Sequence, residues 1–524
     1  MLRTILLSGF YMIVGVFVYS AQFDITAYGA KADGTTMNTA SVQRAVDACS
    51  AAGGGRVVIP AGVFLTAGIL LKDNVTLYLE AGATLRAPRE LSQYDNKQRI
   101  FIAADSATNI GIAGPGILDG SGDAFWVKDE KYREKKDTWS GASHNAWKAI
   151  PRPSNIRISK CRGVSVMNVM ITNSPSWTLH VSSCDNVIVD NVTIRNPLHG
   201  PNTDGIDINM CREVMVANCD ISTGDDAIVL KATSAADRRV SRNITVSNCR
   251  IETECQAFKI GTETLDGFEN IVFRDSFIYN RSSDPGERAS AGIALEAVDG
   301  GTVNGVVVSN IVMTNVRAPI FIRLGNRGNG QPAGKKIPGA LKNVVIENIT
   351  AYHSLMESSV TGIPGYRVEN VTLRNIDIEL EGGGEKAWAA VAVKEAEDSY
   401  PAPRMFGVRL PAYGFFCRHV KGLSFSNVRF RNLLPDARPV LYCDDVETLA
   451  IDNFIAGDVS GDEALMRFVN VVDATVTKSP APRGAKLFLK ARGAMTKRIM
   501  LGGNSIDASS VDAEDTIRNE IQLQ

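Results

Sequence analysis

Between Val164 and Asn453 the chain repeats one short phrase ten times: an apolar residue, any residue, a second apolar residue, any residue, then Asn or, once, Asp. The units are Val164–Asn168, Val187–Asn191, Val214–Asn218, Ile244–Asn248, Ile271–Asp275, Val306–Asn310, Val344–Asn348, Val371–Asn375, Leu423–Asn427 and Leu449–Asn453. Such alternation belongs to a strand with one buried face, and β-branched residues lead at most of the apolar positions. A second short strand soon follows each unit, as in Thr193–Ile194 and Thr372–Leu373, and the commonest spacing is 23 to 30 residues. Short strands at that period, without helices between them, describe the coils of a solenoid. The expected fold is therefore all-β: a single right-handed parallel β-helix, with aligned valines stacked in the core and aligned Asn residues bridging adjacent coils. A β-propeller is the runner-up, but its blades are of even length and joined by hairpins, and hairpin signals are scarce here. At 524 residues an ordinary chain divides into several domains, whereas a solenoid needs only one.

The ends read differently. Met1 to Ala21 carries Arg3, the apolar run Ile5 to Val18, then Ser20 and Ala21, the pattern of a secretory signal peptide. It is too short and weakly flanked for a spanning helix, and no later run reaches 18 apolar residues. The mature chain is thus expected to be exported (secreted, periplasmic or in the cell wall) with no stable membrane insertion. Thr39 to Gly53 reads as one amphipathic helix with Val42, Ala45, Val46 and Cys49 on its inner face, closed by Gly53-Gly54-Gly55. Ahead of a long strand series, that helix suits a cap over an open sheet edge. A net charge of −1 gives no electrostatic footprint for nucleic acid. Nine cysteines leave at least one unpaired. Cys161, Cys184 and Cys211 recur at one place in the repeat and Cys219 and Cys249 at another, so stacked buried thiols are expected, with a Cys417–Cys443 bridge left open.

The stretch from Pro201 to Lys231 gathers carboxylates. Asp204 stands in Asn202-Thr203-Asp204-Gly205-Ile206-Asp207, and 21 residues on come Asp225 and Asp226 in Gly224-Asp225-Asp226-Ala227-Ile228. Like charges held together raise one another's pKa, a costly arrangement unless chemistry uses it. Breaking a sugar–oxygen bond needs one protonated acid and one ionised base on opposite faces of the ring, so the trio points to glycoside hydrolysis. Asp207 and Asp220 suit the plainer role of capping turns. No cluster has zinc or EF-hand spacing, and neither metal nor cofactor is expected. The catalytic β-helix is expected over residues 22–456, interrupted at 123–153 by a loop insertion on one face. There Trp126, Tyr132, Trp139 and Trp147 stand among lysines, suited to sugar-ring stacking or, more plainly, to a solvated loop with packed aromatics. Residues 457–524, where the Asn-marked pattern fades, are expected to hold terminal coils and a cap.

Taken together, Asn202-Thr203-Asp204, Asp225-Asp226 and the β-helix pattern resemble glycoside hydrolase family 28, the polygalacturonases and their relatives, from about Phe23 to at least Asn453. The early FDITAYGAKADG, GGGRVVIPAGVF and AGATL segments fit the same family. The resemblance implies a metal-free, inverting hydrolase of pectic polysaccharide or oligosaccharide, with Asp225 as general acid and Asp204 and Asp226 activating water. Two other classes stand against it: a calcium-dependent polysaccharide lyase on the same fold, and a non-catalytic carbohydrate-binding solenoid. This chain also departs from the family. The family's Gly-His-Gly followed by Ile-Ser-Ile-Gly becomes Cys255-Gln256-Ala257-Phe258-Lys259-Ile260-Gly261, and its carboxylate-gripping Arg-Ile-Lys becomes Ala294-Leu295-Glu296. Asn202, Gln256, Lys259 and Arg323 are therefore expected to bind substrate, and Lys231 to meet a substrate carboxylate or pair with an Asp; for His180 and His199 a hydrogen bond to the backbone is the default expectation, with lining of the cleft the alternative. With Glu296 repelling uronate, poor activity on plain polygalacturonan is expected, and better activity on a branched, modified or rhamnose-containing pectic substrate.

Overall fold

The computed structural model describes residues 21–94, 99–129, 147–233, 238–332, 334–457, 459, 461–482, 485–504 and 506–524. Among these, 37 strands join in one sheet, paired in parallel from Gln22–Asp24 through to Ile521–Leu523. The chain is a right-handed parallel β-helix. Each early coil has three strands: Leu179–Ser182, Asp185–Asp190 and Thr193–Arg195 form one, and Ile206–Asn209, Arg212–Ala217 and Asp220–Thr223 form the next. They stack in register, Leu179 on Ile206, Val187 on Val214 and Ile194 on Ile221. From Phe268 onward the second and third strands merge into one long bent strand, as in Phe268–Tyr279 and Thr302–Thr314.

Both apolar positions of all ten repeat units point inward and are at most 3% exposed. Burial of that kind contributes about 1.5–3 kcal/mol for each Val, Leu or Ile side chain, so the stacked rows carry the fold. The repeat asparagines form the expected ladder. Asn191 donates to Asn168 at 2.9 Å, Asn248 to Asn218 at 2.7 Å, Asn375 to Asn348 at 2.9 Å and Asn453 to Asn427 at 2.9 Å. These residues also have φ between 51° and 58°, the left-handed conformation that Asn tolerates far better than a β-branched residue. One residue type thus bends the corner and bridges the coils. A second ladder, not evident from the repeat, runs along the start of the second strands, where Asn270 donates to Asn243 and Asn370 to Asn343.

Helix Thr39–Ala51 closes the N-terminal end, with Val42, Ala45, Val46 and Cys49 buried against strands Gln22–Asp24, Gly55–Ile59 and Ile69–Leu71. All nine thiols are free, and the sulfurs of Cys184 and Cys211 accept from the backbone N–H groups of Cys161 and Cys184. Cys417 and Cys443 are register partners without a bridge. The leader reading of residues 1–20 lies outside the described residues, as do Tyr132 and Trp139. The described ends of the 123–153 segment, Trp126–Lys128 and Trp147–Ala149, pair as an antiparallel hairpin. No described helix is long and apolar enough to cross a membrane.

Candidate active site

Two consecutive coils deliver the acidic residues. Asp204 precedes strand Ile206–Asn209, and Asp225 and Asp226 precede strand Ile228–Ala232, which lies beside it. Gly205 N donates to the Asp226 carbonyl at 2.9 Å, and Ile206 N to that of Ala227 at 2.9 Å. The backbones approach so closely that a Cβ on Gly205 would lie 2.4 Å from the Ala227 oxygen, which is why the motif has glycine there. Threonines fix the turns: Thr203 Oγ1 donates to Gly200 O at 2.8 Å and accepts from Gly224 N at 3.1 Å, while Thr253 Oγ1 donates to Asp225 O at 2.6 Å.

Charge is divided unevenly among the carboxylates. Asp204, Asp207 and Asp226 are at most 4% exposed, and two buried lysines lie among them. Lys231 Nζ is 2.9 Å from Asp204 Oδ2 and 2.8 Å from Asp207 Oδ1, and Lys259 Nζ is 3.0 Å from Asp226 Oδ2. Burial opposes both ammonium charges, but the carboxylates around them outweigh it and hold both lysines well above their ordinary range. Burial pushes Asp207 far up and Asp204 up less, with Lys231 pulling against it in each case. Lys231 thus bridges two buried carboxyl groups, of which Asp207 is the more strongly raised. Trp177 covers the same ammonium, its ring centroid 3.8 Å from Nζ.

Among the described residues no lysine forms an ion pair with Asp225. Asp225 is partly exposed; Oδ1 accepts from Asp226 N at 2.8 Å and Oδ2 from Asn202 Nδ2 at 3.4 Å. Burial first, then the negative charges of Asp204 and Asp226, push its carboxyl up to about 7. Environment thus sets Asp225, a carboxyl pushed up toward neutrality, apart from Asp204 and Asp226, which each touch a buried ammonium, a division that acid–base chemistry at neutral pH can use.

Asp225 opens into a cavity of about 610 Å³ bounded by Gln256, Glu254, Arg317, Tyr400, Arg404 and Met405. A second cavity of about 310 Å³, sharing Asn202, is lined by Arg152, Arg157, Trp177 and His180. The two cavities meet at Asn202 to form a groove, and Asp225 lines the larger part of it. Asp225, Asp226 and Cys255 also bring three ligand atoms within 4.8 Å of one another, but a cation there would compete with the Lys259 ammonium already on Asp226.

Residues 49–400 match the model for glycosyl hydrolases family 28. The chain belongs to glycoside hydrolase family 28. This family-28 chain is 32% identical over 311 residues to an endo-polygalacturonase of Pectobacterium carotovorum subsp. carotovorum, covering 56% of this chain and 73% of that one. It is 27% identical over 393 residues to an exo-poly-alpha-D-galacturonosidase of Dickeya chrysanthemi, covering 65% and 64%. Among solved structures, the polygalacturonase of Erwinia carotovora ssp. carotovora superposes with a TM-score of 0.52 at 26% identity, over 69% of this chain and 93% of that one. The exopolygalacturonase of Thermotoga maritima does so with a TM-score of 0.60 at 23% identity, over 78% and 91%. Family membership makes the protein a glycoside hydrolase, acting on O-glycosyl bonds.

Within this family-28 frame, several residues sit elsewhere than their sequence context suggested. Lys259 does not present its charge to the groove but is spent on buried Asp226, while Lys231 takes the second of its two expected roles and pairs with Asp204 and Asp207. Arg323, fully buried, donates to the carbonyls of Gly362 at 3.0 Å, Glu395 at 2.8 Å and Ala396 at 3.0 Å, and so holds a loop instead of facing the groove. Asp207 belongs to the charged cluster and is not a turn cap, whereas Asp220 pairs with Arg195 at 2.5 Å. Gln256 lines the larger cavity and gives its backbone N–H to Asp226 Oδ1 at 3.3 Å. Asn202 stands on the rim, accepting from Arg152 at 2.8 Å. Glu296 is fully buried, and burial pushes its carboxyl up to about 8, so at neutral pH it does not carry the repelling charge expected of it. Burial and Lys231 hold His180 down at about 3, a neutral imidazole beside Trp177. His199 stacks on Trp147 at 4.6 Å, with Trp126 edge-on at 6.0 Å. Arg152, Arg157, Trp177, Arg317, Tyr400 and Arg404 were not singled out by the sequence, since they come from separated stretches of the chain and belong to no motif.

Proposed function

We propose that this family-28 hydrolase is exported and cleaves a uronic-acid-containing pectic glycan with inversion. Asp225 protonates the glycosidic oxygen while Asp204 and Asp226 activate the attacking water. The observation that carries this reading is the distribution of cations among the described residues: Asp204 and Asp226 each have a buried lysine within 3.0 Å, and Asp225 has none at that distance. Direct attack by activated water leaves no covalent glycosyl-enzyme, so proton NMR of the earliest product should find the inverted anomer. Retention, or an adduct trapped on any of the three aspartates, would contradict the roles. Because Asp225 acts protonated, kcat/KM should fall tenfold per pH unit once pH passes well above about 7. A profile flat to pH 9 would remove it as the acid. A lyase would instead give unsaturated products that absorb in the ultraviolet.

For substrate, the absent Arg-Ile-Lys charges are made up from other segments. Arg152 and Arg157 line the groove on one side of the carboxylates, and Arg317 and Arg404 on the other. Guanidinium groups suit bidentate binding of carboxylates. This favours uronate on both sides of the scissile bond and revises the expectation of poor activity on plain polygalacturonan. The test is kcat/KM on galacturonate oligosaccharides, their methyl esters and rhamnogalacturonan fragments. The free acid should exceed the ester by at least about tenfold, the equivalent of one lost charge-assisted contact. Equal rates would remove the arginines from substrate binding.

A further inference from the structure

We infer that the segment between strands Val368–Gly382 and Phe415–Leu434 closes one end of the groove, so that the enzyme works from a chain end instead of cutting at random inside the polymer. This rests on the hydrolase reading above. The first strands of successive coils present one outward column in register: Arg157, His180, Asp207, Val229, Lys259, Ala294, Phe321. Its charged and polar members lie in the groove or among the carboxylates. Val229 is apolar among them, but only from Ala294 to Phe321 is the column apolar over consecutive coils, and these two with Ala291 pack against Met405 and are at most 1% exposed. Further along the same face, Phe416 packs against Phe406 and Leu410. The groove floor therefore runs into a dry apolar seal. From the Asp226 coil to that of Ala291 is two steps, roughly 10 Å, which bounds the length of substrate on that side.

The seal is fixed to the frame. Arg418 donates to the carbonyls of Val393 at 2.8 Å and Lys394 at 2.7 Å, Arg323 to those of Glu395 and Ala396, and Asn326 N to that of Glu397 at 2.6 Å. Five consecutive carbonyls are thus taken, four of them by guanidinium groups that stand on the sheet two coils apart in one column, with Thr361 between them. From this clamp the chain passes directly to Tyr400, Arg404 and Met405, which wall the larger cavity. On the opposite side the groove ends in nothing comparable among the described residues, and Arg157 there is exposed.

The experiment is a time course on pectic oligosaccharides of defined length and on the polymer, with product sizing and viscometry. The wild type should release the same mono- or disaccharide from the first time point, shortening the substrate stepwise, while polymer viscosity stays nearly constant at early conversion. A spread of intermediate lengths with a steep viscosity loss would overturn the inference and leave the hydrolase reading intact; no cleavage of any pectic substrate would overturn both. The double variant Arg323→Gln, Arg418→Gln, which loosens the clamp, should raise the share of longer first products at least fivefold. A folded double variant with unchanged product lengths would also overturn the inference.

Discussion

Replacing Asp225 by Asn should lower kcat by ~10²–10⁴-fold, the usual contribution of a positioned general acid, with melting temperature and substrate affinity close to wild type. Three features of the site lead there. The carboxyl is pushed up to about 7, so near neutral pH a large fraction is already uncharged and the amide changes little electrostatically in the ground state. The amide oxygen can still accept from Asp226 N and Asn202 Nδ2. What it cannot do is give up a proton to a departing sugar oxygen. Initial rates of reducing-end release, measured beside a thermal melt, decide the matter. Turnover near the wild-type rate in a clean preparation would remove Asp225 as the acid.

Replacing Lys259 by Met should cost about 3–5 kcal/mol of stability, because breaking a buried ion pair strands the partner charge. Lys259 is 1% exposed and sits 3.0 Å from Asp226 Oδ2, so bulk water has little access to the carboxylate that the lost ammonium leaves behind. Activity should fall with it, since Asp226 would lose the ammonium that holds its carboxylate in place. The informative comparison is with Lys259→Met, Asp226→Asn. Removing both charges should recover a substantial part of the stability in urea unfolding while restoring no turnover, a coupling that a double-mutant cycle measures. A single variant within about 1 kcal/mol of wild type would mean the pair contributes little, as exposed pairs do.

The parts of this molecule legible in the sequence are those set by short-range pattern. Alternating valines announce a buried strand face, and an Asn at every bend announces a corner that needs both a left-handed backbone and a side-chain amide. The acidic trio was legible because its members stand beside the strands that place them. Pairings across coils were not. Lys259 reaches Asp226 over 33 residues, a separation fixed by the loop lengths between them and not by any local motif. Arg323 has the right residue type on the right face of the sheet, yet it is covered by carbonyls 72 and 73 residues later. The groove arginines come from several loops and coils, so no window of sequence shows them together.

The asparagine corner also determines where this architecture is free to vary. From Asn168 to Asn453 the second and third strands are joined by at most a two-residue bend, or run on unbroken. Long stretches fall elsewhere: between Ile117–Asp119 and Ser154–Ser159, between Val316–Leu324 and Ala340–Ser354, and between Val368–Gly382 and Phe415–Leu434. Those junctions adjoin first strands, the face of the solenoid on which the groove lies. One extra residue at the asparagine corner would turn the following strand inside out and break the ladder, whereas a junction beside the groove can lengthen with the register preserved. The scaffold thus separates heritable change into two compartments, one mechanically frozen and one editable, and the editable one borders the site. Substrate preference in such a protein is open to transplantation loop by loop, with the hydrolytic centre carried along untouched.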